Sequence, residues 1–239
     1  MVAIELEEPE AQIGEREKLA VIDCDIHNTI EGGEIWAKYL PEKWLTLQNA
    51  TGYRGRTGQN YPLGVPEAAR NDAWPPSGNR PGSDLEFMQE QLLDEYDMDY
   101  GVLTCLVGAG GQQNLELGAA MARAVNDWQI AEWLEPEPRL RASLVVSYED
   151  ADLAVKEINR LGDHPGYVQV LFAARTMEPM GRRKYWKIYE AAQDHNLAIA
   201  VHFGGQGVGP ITGGGKPSHY IEDHAGMAQG FQAQVMFLL

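Results

Sequence analysis

Apolar positions along the chain follow two rhythms. In five short stretches they run almost without interruption: "LAVIDCDIH" (19–27), "YGVLTCLVG" (100–108), "LRASLVVS" (140–147), "GYVQVLFA" (166–173) and "LAIAVHF" (197–203). Such runs, rich in β-branched residues, predict strands covered on both faces. Between them the apolar positions recur at the spacing of a helix. "SDLEFMQEQLLDEY" puts Leu85, Met88, Leu92 and Tyr96 on one stripe and offers Ser83 as N-cap, with Glu86 completing a capping box. "NLELGAAMARAVNDWQIAEWL" (114–134) has a broad apolar face and stops before Pro136. "SYEDADLAVKEINRLG" offers Ser147 with Asp150 as a second capping box and stops at Gly162, and "RRKYWKIYEAAQDHN" (182–196) ends on an asparagine suited to a helix terminus.

Strand and helix therefore alternate five times. Alternation of this kind builds a parallel sheet, doubly wound or closed as a barrel, with ligands at the carboxyl ends of the strands. The first strand is followed by "HNTIEGGEIW", which has only Gly32 and Gly33 and lacks a dinucleotide fingerprint, so the barrel is the favoured architecture. Positions 49–82 break the alternation with a Gly- and Pro-rich stretch containing Arg54, Arg56, Arg70 and Arg80. A loop this long in a compact domain is often a lid. Its arginines read either as a basic cover for an anionic substrate or acidic partner, or as solvated surface charges.

The 239 residues, 44% of them hydrophobic, suffice for one large domain, expected over 19–239 behind an acidic, flexible tail at 1–18. That tail lacks the basic and apolar regions of a secretory signal, and no apolar run is long enough to span a bilayer. A net charge of −16 disfavours nucleic acid and anionic lipid as partners. Cys24 and Cys105 both fall in apolar runs and read as reduced core thiols, which points to a soluble, cytoplasmic protein.

The candidate chemistry begins in "VIDCDIHN" (21–28), where Asp23, Asp25 and His27 occupy alternate positions and so share one face of the first strand. Carboxylates buried without partners are costly, whereas a divalent cation accepts carboxylate oxygen and imidazole nitrogen together. By itself the triplet also fits a hydrogen-bonded pair, and Asp23 reads as a supporting carboxylate or a backbone acceptor. His202 ends the fifth run just before two glycines, again at a carboxyl end. Two such ends in one β/α array favour a metal.

Several separated motifs carry a family resemblance. "VIDCDIHN", "YLPEKW", "DAWPPSG" with "PGSDLEFMQEQLLDEYDMDYGVLT", and "VHFGG" with "PSHYIEDHAG" resemble the amidohydrolase-related metal-dependent hydrolases, in the branch that includes aminocarboxymuconate semialdehyde decarboxylase. The resemblance runs from about residue 19 to the last residue. It implies a (β/α)8 barrel holding one divalent metal, zinc in the first place, with manganese or iron as alternatives. By position, the family's first-strand H-x-H pair falls on Asp25 and His27, and its fifth-strand histidine on His202. The carboxylate in the first place, met in part of the family, opens the site to manganese or iron. The proton-handling residue of strand six and the aspartate ligand of strand eight would lie beyond residue 239.

The resulting expectation is a partial TIM-type barrel of about five β/α units, completed by a second polypeptide in a heteromer. A truncated product is the plain alternative. The expected function is metal-dependent hydrolysis of a C–N or C–C bond in a small aromatic or carboxylated substrate. Nonoxidative decarboxylation is the alternative within the superfamily, and a noncatalytic scaffold or regulatory subunit the alternative outside catalysis.

Further candidates surround these residues. Arg175, just after the fourth run, is expected to hold a substrate carboxylate, its other reading being an ordinary loop arginine. His219 and His224 in "SHYIEDH" are candidate catalytic residues, for substrate contact or proton shuttling. Ser218, Glu222 and Asp223 are accounted for as the start of a helix. Asn28 is expected to orient a ligand or line the substrate pocket; Trp36, Trp44 and Trp74 read either as lining a hydrophobic pocket or as packing, with Trp74 the substrate-binding candidate among them. His164 and His195 read as structural. "GGQGVGPITGGGK" fails as a phosphate loop, because Pro210 stands where glycine is needed and Pro217 replaces the hydroxyl residue. Its glycines read as a flexible loop beside the site.

Overall fold

Five parallel strands form one sheet in sequential order: β1 (Ile22–Ile26), β2 (Tyr100–Leu103), β3 (Leu140–Val145), β4 (Tyr167–Ala173) and β5 (Ala198–His202). The computed structural model describes residues 19–51, 69–205, 215 and 217–239. A parallel neighbour requires a crossover, and helices supply it. α1 (Gly32–Tyr39), α2 (Glu42–Thr51) and α3 (Leu85–Met88) lie between β1 and β2. α4 (Leu115–Gln129), α5 (Ala151–Leu161) and α6 (Arg183–Asp194) precede β3, β4 and β5, and α7 (Tyr220–Leu238) follows β5. The sheet curls into a half-barrel, because Asp25 of β1 and His202 of β5 stand at opposite edges of the order yet approach to 3.5 Å.

The core lies between sheet and helices. Leu103, Leu144, Val170 and Phe172 of the central strands are fully buried, as are Leu93, Ile158, Tyr185 and Ile188 of the helical layer. Asn126 of α4 ties the layers together: its Nδ2 donates to Val145 O (2.9 Å) and its Oδ1 accepts from Val145 N–H (3.0 Å). Coverage on both faces, expected for all five strands, holds for the middle of the sheet only. β3 is buried almost throughout, whereas most of β1 and β5 is partly or fully exposed, since among the described residues each has a strand on one side only.

Local details also depart from the sequence pattern. The caps of α3 and α5 are Asp84 and Asp150, each accepting backbone N–H bonds of the first turn, not Ser83 and Ser147. Ser83 bonds back to Arg80 O, and Ser147 is buried against Leu115 O. After α3 the chain continues as a π turn, Gln89–Asp94, which adds a residue and rotates the apolar stripe. Leu93 thereby becomes fully buried, and Tyr96 is turned to solvent.

Of the 49–82 segment, positions 49–51 belong to α2 and Asn71–Ala73 form a 3-10 turn. Arg70 pairs with Asp72, and Arg80 stands 3.8 Å from Glu31. Arg54, Arg56, the tail at 1–18 and most of the glycine stretch at 204–215 lie outside the described residues. No described helix is long and apolar enough to cross a membrane.

Candidate metal centre

β1 and β5 each end in a metal-capable side chain at the same rim of the half-barrel. β1 is irregular there: its register with β2 shifts between Asp23 and Ile26, and Asp25 sits inside the shift. A bulge re-aims side chains. Asp23 Oδ1 accepts the Asp25 backbone N–H at 2.9 Å, so Asp23 steadies the irregular backbone. Gly82, with φ of 74°, closes against the same turn: Thr29 N–H donates to Gly82 O at 2.7 Å, and a Cβ at Gly82 would lie 1.9 Å from His27 O.

Asp25, His27 and His202 each offer a ligand atom, and these atoms lie within 4.8 Å of one another. His27 Nδ1 bonds to Thr104 O at 2.9 Å and His202 Nδ1 to Phe203 O at 2.6 Å. A carbonyl only accepts, so Nδ1 carries the hydrogen in both neutral rings and Nε2 carries the lone pair. Both Nε2 atoms face Asp25, at 3.8 Å for His27 and 3.5 Å for His202. The rings meet edge to face, with centroids 4.9 Å apart. Two imidazole lone pairs oriented by backbone carbonyls and aimed with a carboxylate at one point suit a divalent cation. The three expected ligands are thus brought together.

The centre is open to one side. The Asp25 side chain is 56% exposed and that of His27 43%. Below it a cleft of about 200 Å³ is lined by Cys24, Thr104, Gln169, Leu171, Ala200 and Val201 together with Asp25 and His202. Cys24 is exposed on the edge strand β1, beside the cleft, contrary to the expectation of two core thiols; Cys105 is buried as expected.

The remaining candidates occupy varied positions. Arg175 lies just beyond β4: its N–H donates to Gly204 O (2.9 Å), and the preceding Ala174 N–H donates to His202 O (2.8 Å). Asn28 is buried, with Nδ2 3.4 Å from Gln129 Oε1 and Oδ1 lacking a hydrogen-bond partner among the described residues. Trp74 is half-buried in the loop after the 3-10 turn, and Trp44 is packed in a small cluster with Leu40 and Leu117. His219 and His224 are exposed at the start of α7, outside the Asp25–His27–His202 cluster. Glu222 behaves as a capping acid, accepting N–H bonds from Ser218 and His219. His195 bonds to Asp163 and Asn159, consistent with a structural role.

Two structural details escaped the sequence reading. Gly82 is set far along the chain from His27, and only the φ value and contact reveal its role. Asp223 was grouped with Glu222, yet it is buried and, among the described residues, its Oδ1 has no hydrogen-bond partner. Adjacent acids in a first helical turn look alike in sequence; helix phase separates them.

The family model described as Amidohydrolase matches residues 22–238. No curated protein matches the chain. Among solved structures, 2,6-dihydroxybenzoate decarboxylase from Rhizobium superposes with a TM-score of 0.58 at 15% identity, over 92% of this chain and 61% of that one. Dihydroxybenzoic acid decarboxylase from Polaromonas, solved with manganese and 2-nitroresorcinol, gives 0.56 at 16% identity, over 92% and 60%. 5-Carboxyvanillate decarboxylase from Novosphingobium aromaticivorans, solved with manganese and 4-hydroxy-3-methoxy-5-nitrobenzoic acid, gives 0.55 at 16% identity, over 79% and 51%. At such identities the likeness is one of fold. The chain spans between 51% and 61% of the length of these neighbours.

Proposed function

The chain belongs to the amidohydrolase family, and from that premise we propose that it is the metal-holding part of an enzyme acting on a small carboxylated substrate. The observation that carries this reading is the convergence of Asp25, His27 and His202 from opposite edges of the sheet. When bound, a divalent ion supplies Lewis acidity at that point, polarising a substrate oxygen. Manganese is the ion to test first, because the Polaromonas and Novosphingobium neighbours carry it and Asp25 adds a hard oxygen donor. Zinc, the first expectation from the resemblance, comes second.

Each side chain has a defined part. Asp25 contributes the anionic oxygen, and His27 and His202 contribute neutral Nε2 atoms held by Thr104 O and Phe203 O. Arg175, at the neighbouring strand end, grips a substrate carboxylate. Decarboxylation is the favoured reaction, since all three neighbours named above are decarboxylases. The bond between ring carbon and carboxylate breaks, its electron pair stays on carbon, and a proton replaces carbon dioxide. Proton delivery is assigned to the units that complete the barrel, with His219 and His224 on α7 as the candidates within this chain. Hydrolysis of a C–N or C–C bond is the second reading, because the same ligand set serves both.

We further propose that a second polypeptide supplies those units, with the missing carboxylate ligand, in a cytoplasmic heteromer. The support is physical. Among the described residues β1 and β5 present unpaired edges, the half-barrel interior is open, and Leu19, Ile22, Val235, Met236 and Phe237 are exposed. A chain that purifies alone as a stable, metal-bound monomer would refute this arrangement.

The metal reading is tested by elemental analysis of the purified protein. Near-stoichiometric manganese or zinc is expected, lost in a His27→Ala, His202→Ala double variant that keeps its circular dichroism. An unmutated protein that takes up no metal would favour the noncatalytic scaffold.

A further inference from the structure

The loop that leaves β4 carries Arg175, and one side chain of α7 brackets that residue. Gln234 Nε2 donates to Ala174 O (2.7 Å), immediately before Arg175, and to Thr176 Oγ1 (3.1 Å), immediately after it. Gln234 Oε1 accepts the Met180 N–H at 2.8 Å, which fixes the orientation of the amide. These three bonds fall on a single loop.

The bonds lie away from water. Ala174 and Thr176 are both buried, and a buried carbonyl that loses its donor is costly, so without the amide the backbone on either side of Arg175 is driven to rearrange. Two further bonds hold the same stretch from the β5 side: Ala174 N–H donates to His202 O (2.8 Å) and Arg175 N–H to Gly204 O (2.9 Å). Beyond it, Met177 N–H donates to Glu149 Oε1 (2.7 Å) and the Tyr189 hydroxyl to Met180 O (2.6 Å). A guanidinium is aimed by the backbone that carries it, and small displacements of a positioning group are expensive. Gln234 is the α7 half of the grip on that backbone.

We propose that Gln234 is a positioning residue, which by bracketing Arg175 sets the backbone from which the guanidinium reaches a substrate carboxylate. The proposal rests on the assignment of Arg175 to that carboxylate. Gln234 lies outside the Asp25–His27–His202 cluster, and its effect passes through Arg175. Loosening it costs carboxylate affinity and leaves the metal in place, because His27 and His202 are oriented by Thr104 O and Phe203 O.

The test is a double-mutant cycle read by isothermal titration with benzoate, and with phenol, which has the ring but no carboxylate. The protein is the full chain loaded with manganese, together with any chain that completes its barrel. Gln234→Met keeps an unbranched side chain and removes the three hydrogen bonds. It should weaken benzoate roughly tenfold, as expected for loss of a charge-assisted hydrogen bond to a carboxylate. Phenol binding and manganese affinity should not change. In the Arg175→Gln background, adding Gln234→Met should cost nothing further. A folded Gln234→Met protein that binds benzoate as the unmutated one does overturns the proposal. So does a loss that persists in the Arg175→Gln background, or one accompanied by an equal loss of manganese, since either means that Gln234 acts otherwise than through Arg175. Should Gln234→Met fail to fold, Gln234→Glu, which keeps the acceptor for Met180 N–H and loses the amide donors, carries the same expectation and the same refutation. If Arg175→Gln does not weaken benzoate, or the unmutated protein ignores it, the carboxylate role of Arg175 fails first and the proposal with it.

Discussion

His202 Nε2, at the end of β5, lies 3.5 Å from Asp25 Oδ2 in β1, so the outer strands of the described sheet meet through side chains, without backbone hydrogen bonds between them among the described residues. Asp25→Asn keeps the shape of the side chain and removes its charge. Outer-sphere partners of a metal typically alter affinity by about 10- to 100-fold, and loss of a direct anionic ligand should exceed that range. Competition with a chelator for manganese, on the unmutated and Asp25→Asn proteins, measures the difference; equal affinities would remove Asp25 from the site.

Gly82 tests how far the metal centre depends on backbone contact. Alanine there must adopt a φ of 74° and place a Cβ 1.9 Å from His27 O. The strain costs about 1–3 kcal/mol, and relief requires the His27 backbone to move. Gly82→Ala is expected to lower the unfolding midpoint and the metal affinity together. A variant that loses stability but keeps full metal affinity would show that His27 is positioned by Thr104 alone.

The pair formed by Glu137 and Arg139 predicts an acid dependence of stability remote from the site. Hydrogen bonding to the Arg139 guanidinium, opposed by burial, holds the Glu137 carboxyl at about 2, below its ordinary 4.5. A depressed carboxyl stabilises the fold above its ordinary value, and the contribution is lost as pH falls from 4.5 towards about 2. Glu137→Gln should therefore be less stable than the unmutated protein at neutral pH, with the gap closing near pH 2. Urea midpoints across this range supply the check; a gap independent of pH would mean the loss is one of packing.

The cysteines should separate by reactivity. Burial pushes the Cys105 thiol up to about 12, leaving almost no thiolate at neutral pH, while Cys24 is exposed in the cleft beside Asp25. Iodoacetamide is expected to label Cys24 in the native chain and both thiols in urea, with mass spectrometry locating the adducts. Labelling of Cys24 should slow once strands completing the barrel are present. Native labelling at Cys105 would contradict the packing around β2.

Much of the candidate site was legible in the chain itself. Asp25 and His27 sit two apart on a strand, and His202 closes another, so strand periodicity and the parallel β/α rule placed them at one rim before any coordinates. Asp223 and Gly82 were not legible. A buried acid and a capping acid share the same first-turn chemistry, and a glycine required by contact looks like any loop glycine. The exposure of Cys24 was hidden for a related reason, since an apolar run reads as buried whether its strand is central or at an edge of the sheet.

By itself, then, the sequence determined the order of strands and helices, the direction of each strand and which side chains could offer metal ligands, because these follow from local period and residue chemistry. Only the tertiary structure decided that the curl of the sheet brings β1 and β5 together, that Nδ1 rather than Nε2 of each histidine is taken by a carbonyl, and that Asp223 turns inward. Those outcomes depend on sheet curvature, loop contacts and helix phase, which arise between segments far apart in the chain and leave no periodic trace within any one of them.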